Sequence, residues 1–315
     1  MTTTIRTTLT GPFPRPEPLV QATRDLDRGR ITPEAAEAAF AEAEAAVRKV
    51  EGELRLDAVT GGYLRWPDLF RPFTEAWTGV SAGPLTRFFE TNTFFRQPVL
   101  EGPPTPGKGR LAAWLPRGKD ARAVLPGPFT FAALSDVRYT PRASASTVLD
   151  LAAALAEELR SLGPDRPSHL QFQEPMLAYA SPPREVAELV EAYRRIAAAA
   201  GGATTSVWTY FGDAGPLLAA AGRIPVDVIG FDLFETTIPQ GAALGGKGIG
   251  LGCLDPTTTI PEAPGEVAQL ARGAETALRP SVVWLGPNPP LDLLPFDSAV
   301  AKLQLLPRLR EVLAR

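Results

Sequence analysis

The chain has 315 residues, of which 44% are hydrophobic and 21% charged, and its formal net charge is −3, as is usual for a globular protein. It has no basic block to attract nucleic acid, no apolar run that reaches the ~18 residues of a membrane span, and no charged-then-apolar start typical of a signal peptide. We therefore expect a cytoplasmic enzyme or binding protein that acts on a small molecule, without a nucleic-acid or membrane partner.

The first third of the chain combines short apolar segments with one long helical pattern. The predicted elements are a strand at 5–9, a helix that begins at Pro33, and a strand at 56–59. Thr32 before Pro33 supports the start of the helix, because a capping residue followed by proline is favoured there. The stretch 63–116 is irregular and rich in aromatic residues. Its segments 94–96 and 111–115 are predicted to pair as a hairpin that leaves the main fold.

From residue 123 onward, strands and helices alternate regularly. Strands are predicted at 123–125, 169–172, 204–208, 226–231, 248–254 and 281–285. Helices are predicted at 146–163, 183–200, 264–278 and 296–315, with a short helix that ends near residue 222. With the first two strands this makes about eight βα units. The count favours a closed (β/α)8 TIM barrel over a doubly wound sheet, in a single domain over 1–315 with the excursion after the second strand.

One histidine, His169, and one cysteine, Cys253, restrict the metal and nucleophile chemistry available to the chain. Zinc sites take about three or four ligands, drawn mostly from cysteine and histidine. We interpret His169 as a strand residue satisfied by local hydrogen bonds rather than as a catalytic group. Cys253 lies in a glycine-rich apolar run, which is typical of a small buried hydrophobic residue. A single cysteine excludes an internal disulfide, so a reducing compartment fits.

In a TIM barrel the active site lies at the carboxyl ends of the strands, so the strand exits are where function is expected. Six segments at these exits are informative: TGPFPR at 10–15, TNTFFRQP at 91–98, LPGPFT at 125–130, LQFQEP at 170–175, DVI at 227–229, and NP at 288–289 with AKL at 301–303. Together, in this order, they resemble the cobalamin-independent methionine synthase family, specifically its catalytic C-terminal barrel and its short, single-barrel relatives.

The resemblance implies a methyltransferase that moves a methyl group from 5-methyltetrahydrofolate to the sulfur of homocysteine, in methionine biosynthesis. It also implies a zinc ion that binds the thiol and lowers its pKa, so that a thiolate attacks the methyl group. The family's zinc ligands are a His, a Cys, a Glu and a later Cys. They fall here, in that order, on Ser206, Trp208, Asp232 and Leu291. Only Asp232 could bind a metal ion, so we predict a degenerate zinc site and no bound metal.

Two further substitutions fall where the resemblance places contacts to the amino-acid substrate. Gly62 stands where a carboxylate is expected near that substrate, and Gln173 stands where an aspartate is expected to contact its ammonium group. A charged amino acid in a partly buried pocket needs such paired partners. The sequence therefore predicts an altered acceptor or donor rather than homocysteine itself.

Polar and aromatic residues that remain at the strand exits are the candidate site residues. We predict Glu174 and Asp232 as catalytic carboxylates, since a carboxylate directly after an apolar strand is prone to a perturbed pKa. The alternative for Glu174 is a partner for an arginine or backbone amide at the barrel rim. The predicted substrate-binding residues are Arg15, Arg65, Gln173, Trp208, Tyr210, Asp255 and Asn288, with Arg96 and Asp292 as further polar candidates. Trp208 and Tyr210 would either stack on a flat ring or fill the space of the zinc ion.

Three functions stay open on the sequence alone. The first is a divergent methyltransferase; without zinc, a thiol with a pKa of about 8.5 is mostly protonated at pH 7. Transfer from methylfolate would then need another activator or a better donor, such as a corrinoid carried by a corrinoid protein. The second is a non-catalytic barrel that binds a small molecule. The third is a decarboxylase resembling uroporphyrinogen decarboxylase, which would use Arg15 and Arg65.

Overall fold

The fold is built on parallel strands surrounded by helices in the computed structural model, which describes residues 3–107, 111–140, 145–163, 166–179 and 186–314. Its strands are β1 (Thr4–Thr7), β2 (Thr78–Arg87), β3 (Phe94–Thr105), β4 (Arg122–Pro126), β5 (Asp136–Val137), β6 (His169–Gln173), β7 (Thr204–Trp208), β8 (Val228–Asp232), β9 (Gly248–Leu254) and β10 (Val282–Pro287). Its α-helices are α1 (Glu17–Asp27), α2 (Pro33–Glu53), α3 (Arg71–Ala76), α4 (Pro128–Leu134), α5 (Ala145–Ser161), α6 (Met176–Tyr179), α7 (Val186–Ala199), α8 (Gly215–Ala220), α9 (Pro264–Leu278), α10 (Phe296–Leu303) and α11 (Leu305–Leu313).

Seven strands form one parallel sheet in the order β1-β10-β9-β8-β7-β6-β4. Its two edges are joined by a minimal eighth strand, since Ala58 pairs with Thr8 and Val59 pairs with Ala121, both in parallel bridges. Arg122 N donates to Val59 O at 2.8 Å on one side of this junction. The ring of eight is a (β/α)8 barrel, which confirms the predicted fold class. The predicted strand at 56–59 is reduced to the two bridging residues.

Burial explains why these segments form strands and helices. Every residue of β4, β6, β8 and β9 is buried, as expected for parallel strands covered on both faces. Helix α2 begins where the sequence predicts, because the Thr32 side chain accepts a hydrogen bond from Ala35 N at 3.3 Å and Pro33 follows it. Helix α9 has the bounds predicted from the sequence.

The excursion is a hairpin, but its predicted pairing is wrong. β3 pairs with β2 in antiparallel register, whereas Leu111–Ala113 is a single 3-10 turn. Glycine and proline weaken the strand pattern of β2 in the sequence, and the register of its pairing with β3 shifts twice. At Gly83 a Cβ atom would lie 2.8 Å from Gln97 O, so the close approach of the two strands requires glycine there. The turn between β2 and β3, residues 88–93, reaches the barrel mouth.

The helices differ from the predicted ones at two places, and a third lies partly outside the described residues. The predicted helix at 296–315 is two helices, α10 and α11, separated at Gln304. Helix α1 was not predicted, and the predicted helix at 183–200 is seen as α7, with residues 183–185 outside the described residues. Among the described residues, no helix has both the length and the apolar character that a membrane span requires.

Candidate functional site

A cavity of about 690 Å³ opens at the carboxyl ends of β8, β9 and β10. Asp232, Asp255 and Asn288, which end or follow these strands, form its floor, and residues 89–93 of the hairpin turn cover one side. Its volume is in the range of small-molecule sites, about 300–1,000 Å³. The position is the one where TIM barrels carry their active sites. We call it the mouth cavity.

A smaller cavity of about 240 Å³ adjoins the mouth cavity and shares Phe211, Pro289 and Asp292 with it. Gln173 and Tyr210 line this side cavity. Gln173 Nε2 donates to the backbone oxygen of Thr10, whereas Gln173 Oε1 and the Tyr210 hydroxyl are buried without a hydrogen-bond partner among the described residues. Both therefore keep hydrogen-bonding capacity for a ligand or an ordered water molecule.

Asp232 and Asn288 form a buried pair on the floor of the mouth cavity. Asn288 Nδ2 donates to Asp232 Oδ2, and Asp232 Oδ1 accepts from Phe234 N at 2.8 Å and Glu235 N at 3.2 Å. Burial raises the pKa of Asp232 to about 6, although these hydrogen bonds oppose the increase. A carboxylate that titrates near neutral pH inside a cavity is suited to accept or release a proton. The predicted candidates Asp232, Asp255 and Asn288 are thus brought together.

Glu174, the other predicted catalytic carboxylate, lies in the barrel wall and lines neither cavity. It accepts hydrogen bonds from Phe129 N at 3.1 Å, Thr130 N at 2.7 Å and the Tyr193 hydroxyl at 2.9 Å. Burial raises its pKa to about 7, and the same hydrogen bonds oppose the increase. Glu174 therefore fastens the start of α4 to the barrel, which is the rim role considered as its alternative.

The predicted arginine contacts also lie outside the two cavities. Arg15 donates to Leu64 O at 2.9 Å, and Arg65 is paired with Glu37 and Glu44 on α2. The side chain of Arg96, exposed on β3, donates to the backbone of the hairpin. These arginines have partners elsewhere, so the decarboxylase hypothesis loses the residues on which it was based.

Trp208 fills the inside of the barrel below the mouth and is fully buried. Two glycines on neighbouring strands make room for its ring. A Cβ atom would lie 2.3 Å from the ring at Gly230 and 2.2 Å from it at Gly250. Of the two roles predicted for Trp208, its position matches the filling of space, whereas Tyr210 faces the side cavity.

The four positions to which the resemblance assigns zinc ligands do not fit a zinc ion. The indole of Trp208 and the aliphatic side chain of Leu291 supply no ligand, and the Ser206 hydroxyl faces Leu170 O at 3.5 Å. Asp232 is engaged on both oxygens. Among the described residues, no three or more His, Cys, Asp or Glu side chains are grouped as a metal site would require. No step of the proposed chemistry uses a metal ion at these positions.

Neither His169 nor Cys253 lines the mouth cavity. His169 is the first residue of β6, at the opposite end of the barrel, and packs edge-on against Trp284 at 5.0 Å. Burial, with Arg122 and Arg6 nearby, lowers the pKa of His169 to about 4, so the ring is neutral at pH 7. Its Nδ1 has no partner among the described residues, in contrast to the predicted local hydrogen bonds. Burial raises the pKa of the Cys253 thiol to about 12.

The aromatic side of the mouth cavity was not predicted from the sequence. Phe89 and Phe211 both have positive φ angles, +52° and +63°, and their rings lie 5.3 Å apart. Such angles are uncommon for bulky residues and tend to occur at functional sites. Tyr179 packs against Phe89 at 4.9 Å. The sequence signals were nearness alone: Phe89 and Tyr179 lie close to the segments 91–98 and 170–175, and Phe211 follows the predicted candidate Tyr210.

Comparison with known families and proteins extends these observations. Residues 75–246 match the family model described as "Cobalamin-independent synthase, N-terminal domain". The matched model describes the family's N-terminal domain, whereas the ligand positions were assigned by resemblance to its C-terminal barrel, so that assignment stays a prediction.

Two curated relatives share part of their length with this chain. The 5-methyltetrahydropteroyltriglutamate–homocysteine methyltransferase of Mycobacterium bovis is 32% identical over 206 residues, which cover 61% of this chain and 27% of the relative. The protein of the same name from Nitratidesulfovibrio vulgaris is 28% identical over 244 residues, covering 68% and 31%. The match therefore spans under a third of either relative.

Solved structures share the fold over nearly the whole chain. A B12-independent methionine synthase from Shewanella, in complex with selenomethionine, has a TM-score of 0.77 and 17% identity, and the match covers 98% of this chain and 97% of that one. A methyltransferase from Methanosarcina mazei has a TM-score of 0.60 and 14% identity, with 99% and 94% covered. At these identities the likeness establishes the fold.

Proposed function

Since the chain belongs to the cobalamin-independent synthase family, we propose that it is a methyltransferase whose small-molecule acceptor binds in the mouth cavity. The observation that carries the proposal is the buried Asp232–Asn288 pair on the cavity floor. The buried Asp232 carboxylate is the side chain in this cavity best suited to take a proton from an acceptor. We also propose a cytoplasmic site of action, with which a single cysteine agrees.

The proposed reaction needs only a base and a methyl donor. A thiol gives its proton to Asp232, its sulfur lone pair forms the new C–S bond, and the donor's bond to the methyl group breaks with both electrons kept by the donor. With methylfolate, Asp232 returns the proton to N5 of the folate as the bond to the methyl group breaks, so that neutral tetrahydrofolate leaves. With a methylcorrinoid the electron pair stays on cobalt, Asp232 releases its proton to solvent, and a corrinoid protein would then be a partner. General-base assistance of this kind contributes typically about 10²–10⁴-fold.

One observation supports a second candidate function, a non-catalytic barrel that binds a small molecule. Trp208 fills the barrel beneath the cavity, and Glu174 is committed to the rim, so Asp232 is the one predicted catalytic carboxylate that reaches the mouth cavity. A binding barrel requires only the cavity itself. The two functions differ in whether a methyl group is transferred.

A labelled-methyl assay tests the proposal. The purified protein is incubated with trideuteromethyl-labelled methyltetrahydrofolate or methylcobalamin and a panel of thiol and amine acceptors, and products are identified by mass spectrometry. We expect labelled product from the wild-type protein and at least a roughly tenfold lower rate from Asp232→Asn, since general-base assistance is lost. Asn288 can rotate its amide to pair with the new amide at position 232, so this variant should fold, which circular dichroism verifies.

The matched control for the assay is Glu311→Gln, which also removes one carboxylate but lies exposed on α11, outside both cavities. Its rate should equal that of the wild type. If no donor and acceptor pair gives product, while small molecules still bind in the cavity, the non-catalytic function replaces the proposed one.

A further inference from the structure

The mouth cavity is lined by carboxylates without matching cations. Five acidic side chains contribute to its surface: Glu90, Asp232, Glu235, Asp255 and Asp292. None of the described lining residues is a lysine, arginine or histidine. Arg15, which acts on Asp292 from outside the lining, is the cation whose charge is felt there. The electrostatic potential in the cavity therefore favours a positively charged occupant.

Aromatic rings also line this cavity. Phe89 contacts Tyr179 at 4.9 Å and Phe211 at 5.3 Å, so the three rings form a continuous surface. Tyr179 is 45% exposed, and Phe234, which also lines the cavity, is 41% exposed. The Tyr179 hydroxyl donates to Glu90 at 3.4 Å, which places a carboxylate beside the rings. Ring faces attract cations that carry aliphatic groups, as they do in quaternary ammonium sites.

A buried hydrogen-bond acceptor at the same site adds independent support. Asn288 lines the mouth cavity and is 4% exposed, and its Oδ1 has no partner among the described residues. A buried acceptor without a partner is unfavourable, and native proteins usually satisfy it with a ligand or an ordered water. In the adjoining side cavity, Gln173 Oε1 is also a buried acceptor without a partner among the described residues. These groups can therefore accept a hydrogen bond from a donor on the ligand, but would oppose another acceptor.

From the carboxylates, the rings and the free acceptor, we infer that the mouth cavity binds a small organic cation, with methyl or other aliphatic groups on a positively charged nitrogen or sulfur. The polyanionic tail of a folate would be repelled by the same five carboxylates, so a methylfolate donor would have to keep its tail outside the mouth cavity. A divalent metal ion is also disfavoured, since no suitable ligand cluster occurs among the described residues. The inference deepens the proposed function, and it rests on that function only in calling the cation a substrate. The charged group would anchor the acceptor, and the thiol that takes the methyl group would be a separate group of the same molecule.

Calorimetric titration with matched probes tests the inference without any turnover. Choline is compared with its neutral isostere 3,3-dimethylbutan-1-ol, with trimethylglycine, which adds a carboxylate, and with 5-methyltetrahydrofolate. Choline should bind about tenfold or more tightly than either the neutral isostere or trimethylglycine. Its binding should weaken when sodium chloride is raised from about 0.05 to about 0.5 M, because salt screens exposed charges. Magnesium and calcium chloride are titrated separately.

Variants locate the binding. Tyr179→Leu should weaken choline binding about two- to fivefold, whereas Tyr179→Phe, which keeps the ring, should leave it nearly unchanged. Choline binding should weaken as the pH falls through about 6, because burial raises the pKa of Asp232 to about 6. Asp232→Asn should remove the part of this pH dependence that comes from Asp232, and Glu311→Gln should behave as wild type.

The outcomes separate the two proposals. Equal affinity for choline and its neutral isostere, or tighter binding of methylfolate or of a divalent metal, would overturn the inference. Choline binding without any methyl transfer supports the inference and contradicts the methyltransferase. Methyl transfer without choline binding does the reverse.

Discussion

The packing of Trp208 against two glycines gives a quantitative test of how the barrel interior is built. Replacing Gly250 with alanine would put a Cβ atom 2.2 Å from Trp208 Cζ3 and 2.5 Å from Cη2, closer than real Cβ contacts. The ring is fully buried and cannot move into solvent. Gly250→Ala should therefore lower the free energy of unfolding by about 1–3 kcal/mol, as overpacked cores do. Trp208→Ala alone should lower it by about 3–5 kcal/mol.

The double variant is the informative measurement. Once the ring is absent, the alanine introduced at position 250 meets empty space and gains roughly 0.5–1 kcal/mol from reduced backbone freedom in the unfolded chain. The two effects should therefore be non-additive by at least about 1 kcal/mol, a typical coupling for residues in contact. Urea unfolding followed by far-ultraviolet circular dichroism gives the four free energies without relying on tryptophan fluorescence.

A matched glycine controls for the backbone contribution. Gly273 lies in α9 with no atom within 4 Å of an added Cβ, so Gly273→Ala should stabilise the protein equally with and without Trp208. If the effects of Gly250→Ala and Trp208→Ala add within about 0.3–0.5 kcal/mol, the ring does not pack over the glycines of β8 and β9, and the packing inferred for Trp208 is incorrect.

Other predictions follow from buried or exposed charges. The pKa of Glu174 is about 7 in the folded protein, against an ordinary value of 4.5. The stability that its protonation contributes is therefore fully present below pH 4.5 and is lost as the pH rises through 7. The free energy of unfolding of Glu174→Gln, measured in urea relative to that of the wild type, should therefore rise by about 2 kcal/mol between about pH 5 and pH 8. A difference that does not change with pH would contradict the buried position of Glu174. Cys253, fully buried, should not react with a thiol reagent at about pH 8 until the protein is unfolded in urea. Arg65→Ala removes an ion pair with Glu37, a half-buried one with Glu44 and a contact with the Phe40 ring, so it should lower stability by about 1 kcal/mol or less per contact and leave choline titrations unchanged.

The barrel could be predicted from the sequence because its strands are buried on both faces and are bounded by glycine and proline. β7 and β9 have the predicted bounds. The hairpin partner could not be predicted, because β2 contains two glycines and a proline, which weaken any strand pattern. The break at Gln304 is likewise absent from the sequence pattern, since both α10 and α11 continue the same apolar periodicity.

The candidate site was only partly predictable for a different reason. Strand exits mark Asp232, Asp255 and Asn288 by position alone, and these residues meet in the mouth cavity. Glu174 follows a strand in the same way, yet its side chain faces α4, because the direction of a side chain at a strand end depends on the neighbouring loop. The contribution of Phe89 and Tyr179 depends on the hairpin turn folding over the barrel, which local sequence does not encode.

Metal content measured together with methyl transfer tests the central claim most directly. The protein is purified without added zinc, its metal is quantified by mass spectrometry, and labelled methyl transfer is measured before and after dialysis against a chelator. We expect far less than one zinc ion per chain and an unchanged transfer rate after dialysis. One tightly bound zinc ion per chain, with transfer lost on chelation and restored by zinc, would contradict a methyltransferase barrel that works through Asp232 without the family's metal ligands.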